Sequence, residues 1–311
     1  MDFSLGQINT DISRPLLGTW IAQNKSWQWA EFAIAMVTAP LLILTVLMRE
    51  TCAWRISQKS GHAAPDDTPE AEVEKGSPKK AVLNMLRVVF TDPSIIILGL
   101  WMGVIMGIQF SFYSALPQQL RGAYQLDWLP QTLCFFSLGL GSILGLLVHF
   151  IFETQALSTL ATHWHSRYAA GSSSSPASRL PARYRLLTAL PVTIVLPMVV
   201  IFFAFTVLPD SSVFISLSLL VLYSACSAMA FLSGMIYLIE IFSTVEDAIL
   251  VAGYFFVVHL TSAGIVVASG SGMGNLGFKA AFGVFAAAAA MLGLFVWGLW
   301  IRNRYLERRL Q

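Results

Sequence analysis

The sequence predicts an all-α integral membrane protein of about seven transmembrane helices, and three observations carry that reading. Hydrophobic residues fill 56% of the 311 positions and charged residues only 12%, whereas a soluble domain runs at roughly 45–50% apolar and about 25% charged. Seven apolar stretches, at about 29–48, 94–116, 132–152, 189–208, 212–239, 248–269 and 280–301, reach the roughly 20 residues that a helix needs to cross hydrocarbon. Fifteen of the nineteen Lys and Arg residues fall on one side when these stretches are threaded alternately through a bilayer, the asymmetry expected of cytoplasmic loops.

Helix is the only state available to the seven stretches, because backbone groups in lipid must be satisfied within the segment. The basic side carries Arg49, Arg55, Lys59, Lys75, Lys79, Lys80 and Arg87 before the second span, Arg167, Arg179, Arg183 and Arg185 before the fourth, and Arg302, Arg304, Arg308 and Arg309 in the tail. Arg14, Lys25, Arg121 and Lys279 remain on the other side. The N-terminus is therefore expected outside and the C-terminus in the cytoplasm of a multi-pass protein.

Taken in order, residues 1–28 form an extracytoplasmic segment. Met1–Asp11 lacks a basic stretch followed by an apolar one, so no cleavable signal peptide is expected. The span 29–48 contains Pro40, with its one carboxylate, Glu31, at the rim. Residues 49–93 are a cytoplasmic linker. Within it Ser57–Lys80 has almost no large apolar residues and is expected to be disordered. Lys80–Phe90 places apolar residues at helical spacing between basic ones, a pattern suited to lying on the membrane surface. Residues 94–301 hold six spans, interrupted by the low-complexity Gly171–Ser178, and 302–311 form the tail.

Small residues recur at packing intervals: Gly99, Gly103 and Gly107, then Gly141 and Gly145, then Ala225, Ser227, Ala228, Ala230, Ser233 and Gly234. Such residues let membrane helices approach closely. Pro191 and Pro197 are expected to kink or loosen the fourth span.

Signals for enzymatic chemistry are weak. Cys52, Cys134 and Cys226 lie far apart, without a disulfide framework or metal-type spacing. His163-x-His165 falls in an expected loop with no third ligand. Gly270–Gly274 follows a span, not a strand, and lacks the Lys-Ser/Thr of a phosphate loop. A net charge of +2 with no basic run among stacking aromatics argues against a nucleic-acid partner. The expectation is a non-enzyme with neither cofactor nor bound metal.

Ionisable groups at depth are better pointers, because they are costly in lipid. His259 lies near the middle of the sixth span and divides between a hydrogen-bonded helix contact and a proton or substrate role. Glu240 ends the fifth span and is read as a cytoplasmic gate or salt bridge; His149 and Glu153 end the third, with Glu153 read as solvated. Gln109 and Tyr113 are one turn apart with Phe110 and Phe112 beside them, and Tyr254 precedes His259. If Gln109, Phe110, Tyr113, Tyr254 and His259 face one cavity, they suit an amphipathic organic ligand; helix packing is the equal alternative.

The loops and span ends resemble the major facilitator superfamily, in particular fungal drug:proton antiporter-type permeases. Pro15-Leu-Leu-Gly18 and Trp27-Gln-Trp29 are similar to the end of that family's fifth helix and the W-R-W stretch before its sixth. Glu50-Thr51 is similar to the P-E-T-Y close of the sixth, and Arg87 with Thr91-Asp92-Pro93 to the R…T-E-P lead-in to the seventh. Arg185-Leu186, Tyr237-Leu-Ile-Glu240 and Gly298–Arg302 resemble the start of the ninth helix and the ends of the tenth and twelfth. Gln28, Cys52, Ser114 and Phe256 depart from the family's pattern, the last two in its usual polar network.

The resemblance implies the sixth to twelfth helices of the facilitator fold. It implies export of small amphipathic organic compounds or secondary metabolites in exchange for protons, with the lipid bilayer and a second transporter half as partners. It also implies a truncated or half-length form, since the family's first helices have no counterpart in the sequence. Two other readings stay open: a non-transporting remnant or membrane interaction protein, and a seven-span receptor. The receptor is disfavoured by the absence of an Asp-Arg-Tyr-like stretch after the third span and an Asn-Pro-x-x-Tyr-like stretch in the last.

Overall fold

A computed structural model describes residues 92–125, 135–168, 182–207, 211–241 and 247–310, with scattered positions between 35 and 43 and between 83 and 87. Within it run six long helices: α1 Pro93–Tyr124, α2 Phe135–Tyr168, α3 Ala189–Thr206, α4 Val213–Ile241, α5 Asp247–Leu276 and α6 Phe278–Leu310. A 3-10 turn, Ala182–Thr188, leads into α3. Each of the six has a stretch long and apolar enough to cross a membrane, such as Pro93–Tyr113 in α1 and Tyr184–Thr206 leading through α3. The chain is an all-α, multi-pass membrane protein.

Of the first span, 29–48, the structure describes only positions 35, 36, 38–40, 42 and 43, all helical. Leu83, Leu86 and Arg87, in the surface lead-in, are helical too. The rest of the linker up to residue 91, with Ser57–Lys80, and the segments 1–28 and Gly171–Ser178 lie outside the described residues.

Local chemistry sets the helix ends. Pro93 occupies the first position of α1, where a missing N–H costs nothing, and the Ser94 N–H donates to Asp92 Oδ1 at 2.8 Å. Gly277, at φ +81°, stops α5 in the left-handed conformation that glycine tolerates and lets α6 begin at the next residue.

Helices pair as α1 on α5, α2 on α4 and α3 on α6, with α4 also against α3. The glycine intervals make the first two pairs. A Cβ on Gly99, Gly103 or Gly107 would stand 2.8 Å from Val257 Cγ1, 2.6 Å from Thr261 Cβ or 2.5 Å from Ile265 Cβ, so three turns of α1 and three of α5 mesh in step. Gly141 and Gly145 bring α2 equally hard against the Val221 and Ala225 carbonyls of α4. Phe112 then ties four helices together, its ring centroid 5.0 Å from those of Phe203, Tyr223 and Phe282. Outward faces stay apolar, as in the run Leu140, Ile143, Leu144, Leu147 and Ile151 of α2, which is what a lipid-facing or partner-facing surface requires.

Three boundaries differ from the sequence expectation. α1 continues past Pro117 to Tyr124 because Leu116 and Leu120 still point into the core and hold the backbone. α2 continues to Tyr168, so His163-x-His165 is helical rather than in a loop; Thr154–Tyr168 carries no glycine or proline to end the helix. α5 likewise runs through Gly270–Gly274, and only the positive φ at Gly277 stops it. Neither Pro191 nor Pro197 interrupts α3, which runs unbroken from Ala189 to Thr206.

Candidate functional site

Two polar clusters stand out within the helices, one inside the bundle and one at its Lys/Arg-rich end. The inner cluster joins α1 to α4. Gln109 is 5% exposed, too deep to leave its amide unpaired. The Ser227 hydroxyl donates to Gln109 Oε1 at 3.2 Å, and Gln109 Nε2 donates to the Tyr113 hydroxyl at 3.4 Å. One turn away, the Tyr223 hydroxyl donates to the Ile105 carbonyl at 2.6 Å. The Tyr113 ring lies 5.6 Å from that of Phe135, which brings α2 to the same place.

The remaining residues singled out in the sequence are dispersed around this cluster. Phe110 is 46% exposed, its ring 6.1 Å from that of Tyr113. Tyr254 is buried, with its hydroxyl toward α4: a Cβ on Gly234 would lie 3.6 Å from it. His259 is on the exposed face of α5, its Nδ1 2.8 Å from the Phe255 carbonyl one turn back. The structure thus joins Gln109 and Tyr113 directly, with Phe110 alongside, and sets Tyr254 and His259 on separate faces of α5.

The second cluster is ionic. Arg185, in the 3-10 turn, donates through Nε at 2.8 Å and lies through Nη2 at 2.6 Å from Glu240 Oε1 at the end of α4. Its Nη1 pairs with Glu153 Oε1 on α2. Glu153, read in the sequence as solvated, is thus an ion-pair partner: the 3-10 turn reaches into the gap between α2 and α4 and carries the guanidinium to both carboxylates. A planar guanidinium suits such a double bridge, since its donors fan out in one rigid fork. Beside it, Thr188 and Ser233 share a buried hydrogen bond, and Asn303 Nδ2 donates to the Tyr237 hydroxyl at 2.5 Å. Three helices and the turn are cross-linked at this one end of the bundle.

Sequence reading missed Ser227, counted there as a small packing residue, and the junction role of Arg185, seen only as a helix lead-in. The single in-sequence signal was that Glu153, Arg185 and Glu240 each fall at the same membrane face, where opposite charges from different spans can meet.

No family model matches the chain. Among characterised proteins, it is 26% identical over 163 residues to Transporter mfs1 of Schizosaccharomyces pombe, a match covering 48% of this chain and 31% of that protein. It is 24% identical over 166 residues to the MFS-type transporter MFS19 of Alternaria alternata, covering 50% and 34%. It is 28% identical over 127 residues to the Multidrug transporter TPO1_1 of Candida glabrata, covering 37% and 22%. The chain's relatives are fungal transporters of the major facilitator type, and the three matches span 31%, 34% and 22% of the relatives' lengths.

Proposed function

We propose that the chain is a lobe of a proton-coupled major facilitator exporter of small amphipathic organic molecules, matching the family's C-terminal half. Its relatives are transporters rather than enzymes, and one carries multidrug transport in its name. The observation that carries the reading is the Arg185 bridge. Transport by this architecture requires helix ends that separate and close on one side of the membrane. An ion-paired junction of α2, α4 and the turn before α3 is a closure that can be broken without unfolding any helix. In this reading Glu240 is part of a cytoplasmic gate, the C-terminus is cytoplasmic, and the protein works in the plasma membrane with a second transporter half.

The inner cluster fits the substrate role. Gln109 and Tyr113 offer a few orienting polar groups among Phe110, Phe112 and Phe135, the balance that apolar ligands of mixed character need. In this reading Tyr254, buried, and His259, on the exposed face of α5, act apart from that cluster, Tyr254 in substrate contact and His259 in proton coupling.

Reconstitution tests the reading. The chain and a full-length relative are placed in liposomes with an imposed pH gradient, and flux of a hydrophobic cationic dye is followed. Gradient-dependent dye movement by the chain, alone or with a complementary half, is the expected result. Absence of movement under both conditions, with the relative active, favours a membrane interaction protein instead.

A further inference from the structure

Among the described residues two side chains keep buried polar atoms without a partner, Trp300 through its single indole nitrogen and His149 through both ring nitrogens. His149 lies on α2 one turn before Glu153 and is 5% exposed. Neither Nδ1 nor Nε2 has a hydrogen-bond partner among the described residues. A buried nitrogen without a partner has given up its hydrogen bonds to water and regained none, so the few that survive in folded proteins call for an explanation. The ring borders a small recess whose other walls are Phe152, Glu153, Tyr184, Arg185, Thr188 and Ile236. Its Nε2 is 3.6 Å from Glu153 Oε2, while Oε1 of the same carboxylate holds Arg185.

We propose that His149 is a proton-binding site that releases the Arg185 bridge, a proposal that rests on the transporter reading only for its physiological use. The groups facing the ring are few. α2 contributes Glu153, the 3-10 turn contributes Tyr184 and Arg185, and α4 contributes the apolar Ile236, with Glu240 reached through Arg185. Imidazole is the side chain whose charge changes near neutral pH. When a proton from the aqueous phase adds to the ring, no covalent bond breaks, and the imidazolium becomes a charged donor aimed at Glu153 Oε2.

Two cations then compete for one carboxylate, and they repel each other across it. Arg185 keeps Glu240 and loses its grip on Glu153, so α2 is released at Glu153 from the turn and from Glu240 of α4. With His149 neutral, Glu153 belongs to Arg185 and the end stays closed. The proton and the gate are thereby coupled through a single carboxylate with two differently occupied oxygens.

The test uses the full chain in lipid nanodiscs, its native cysteines replaced, with nitroxides at the exposed positions 155, two residues past Glu153 on α2, and 239, near the end of α4. Expected is a lengthened 155–239 distance on acidification from about pH 8 to about pH 5.5. His149→Gln should hold the short distance at both pH values, and Glu153→Gln the long one. In the unsubstituted chain, the 15N-imidazole resonance of His149 should titrate with the same midpoint as the distance change. An invariant distance, a pH response that persists in His149→Gln, or a His149 resonance that does not titrate each overturns the proposal. None of these readouts uses substrate, so a failure of dye export would count against the transporter reading and leave this site standing.

Discussion

Gly103 faces Thr261 so closely that a Cβ on the glycine would stand 2.6 Å from the threonine Cβ and 2.9 Å from the Val258 carbonyl. Backbone on the one side and a branched carbon on the other leave nothing that can rotate away. Gly103→Leu should therefore push α1 off α5 and destabilise the bundle by at least the roughly 1–3 kcal/mol typical of overpacking. Thermal unfolding in detergent checks this: a lowered midpoint is expected in Gly103→Leu and not in Gly283→Leu, where open space surrounds the Cβ.

The Arg185 bridge predicts a charge-swap signature. Arg185→Ala leaves Glu153 and Glu240 facing each other without a cation between them and should open the end of the bundle. A hydrogen bond to a charged group contributes about 1.5–3 kcal/mol. Arg185→Glu combined with Glu240→Arg should restore part of the loss, because the charges meet again across the same gap. Thermal stability of the two single variants and the double variant measures the coupling directly.

Gln109 should tune selectivity more than stability. Gln109→Leu keeps the volume but removes an acceptor from Ser227 and a donor to Tyr113. In a transport-competent context, the expected outcome is an altered ranking of exported dyes, read from competition assays across a series of differing polarity.

His259 sits on an exposed face and bonds only back toward its own helix among the contacts resolved here. His259→Gln should fold normally yet impair proton-coupled efflux, and Glu240→Gln should impair it as well by weakening the hold on Arg185. Efflux measured with and without a pH gradient separates a coupling defect from general loss; unchanged coupled efflux in both variants would remove these residues from the mechanism.

Much of the fold was legible because the bilayer simplifies it. Span lengths, glycine intervals and basic flanks are local or one-dimensional signals, and they translate directly into α1 through α6 and into the Gly99–Gly103–Gly107 seam against Val257, Thr261 and Ile265. Helix ends were less legible, since the extension of α2 through His163 depends on helix propensity beyond the apolar run. Of the ionic junction, Glu240 was legible as a gate or salt bridge, but its geometry was not: Glu153 looked solvated because its partner is 32 residues away across the Gly171–Ser178 segment. Nor was the fate of Ser227: a serine among alanines looks like packing until the Gln109 amide is seen against it.

The central claim, that this bundle is a working transporter lobe, is tested most directly by grafting residues 93–305 in place of the matching lobe of the Candida glabrata multidrug transporter. The account predicts a chimera that exports dye from yeast cells and loses that export with Arg185→Ala. A chimera that reaches the plasma membrane in folded form, yet leaves dye retention at the level of empty cells, would contradict it.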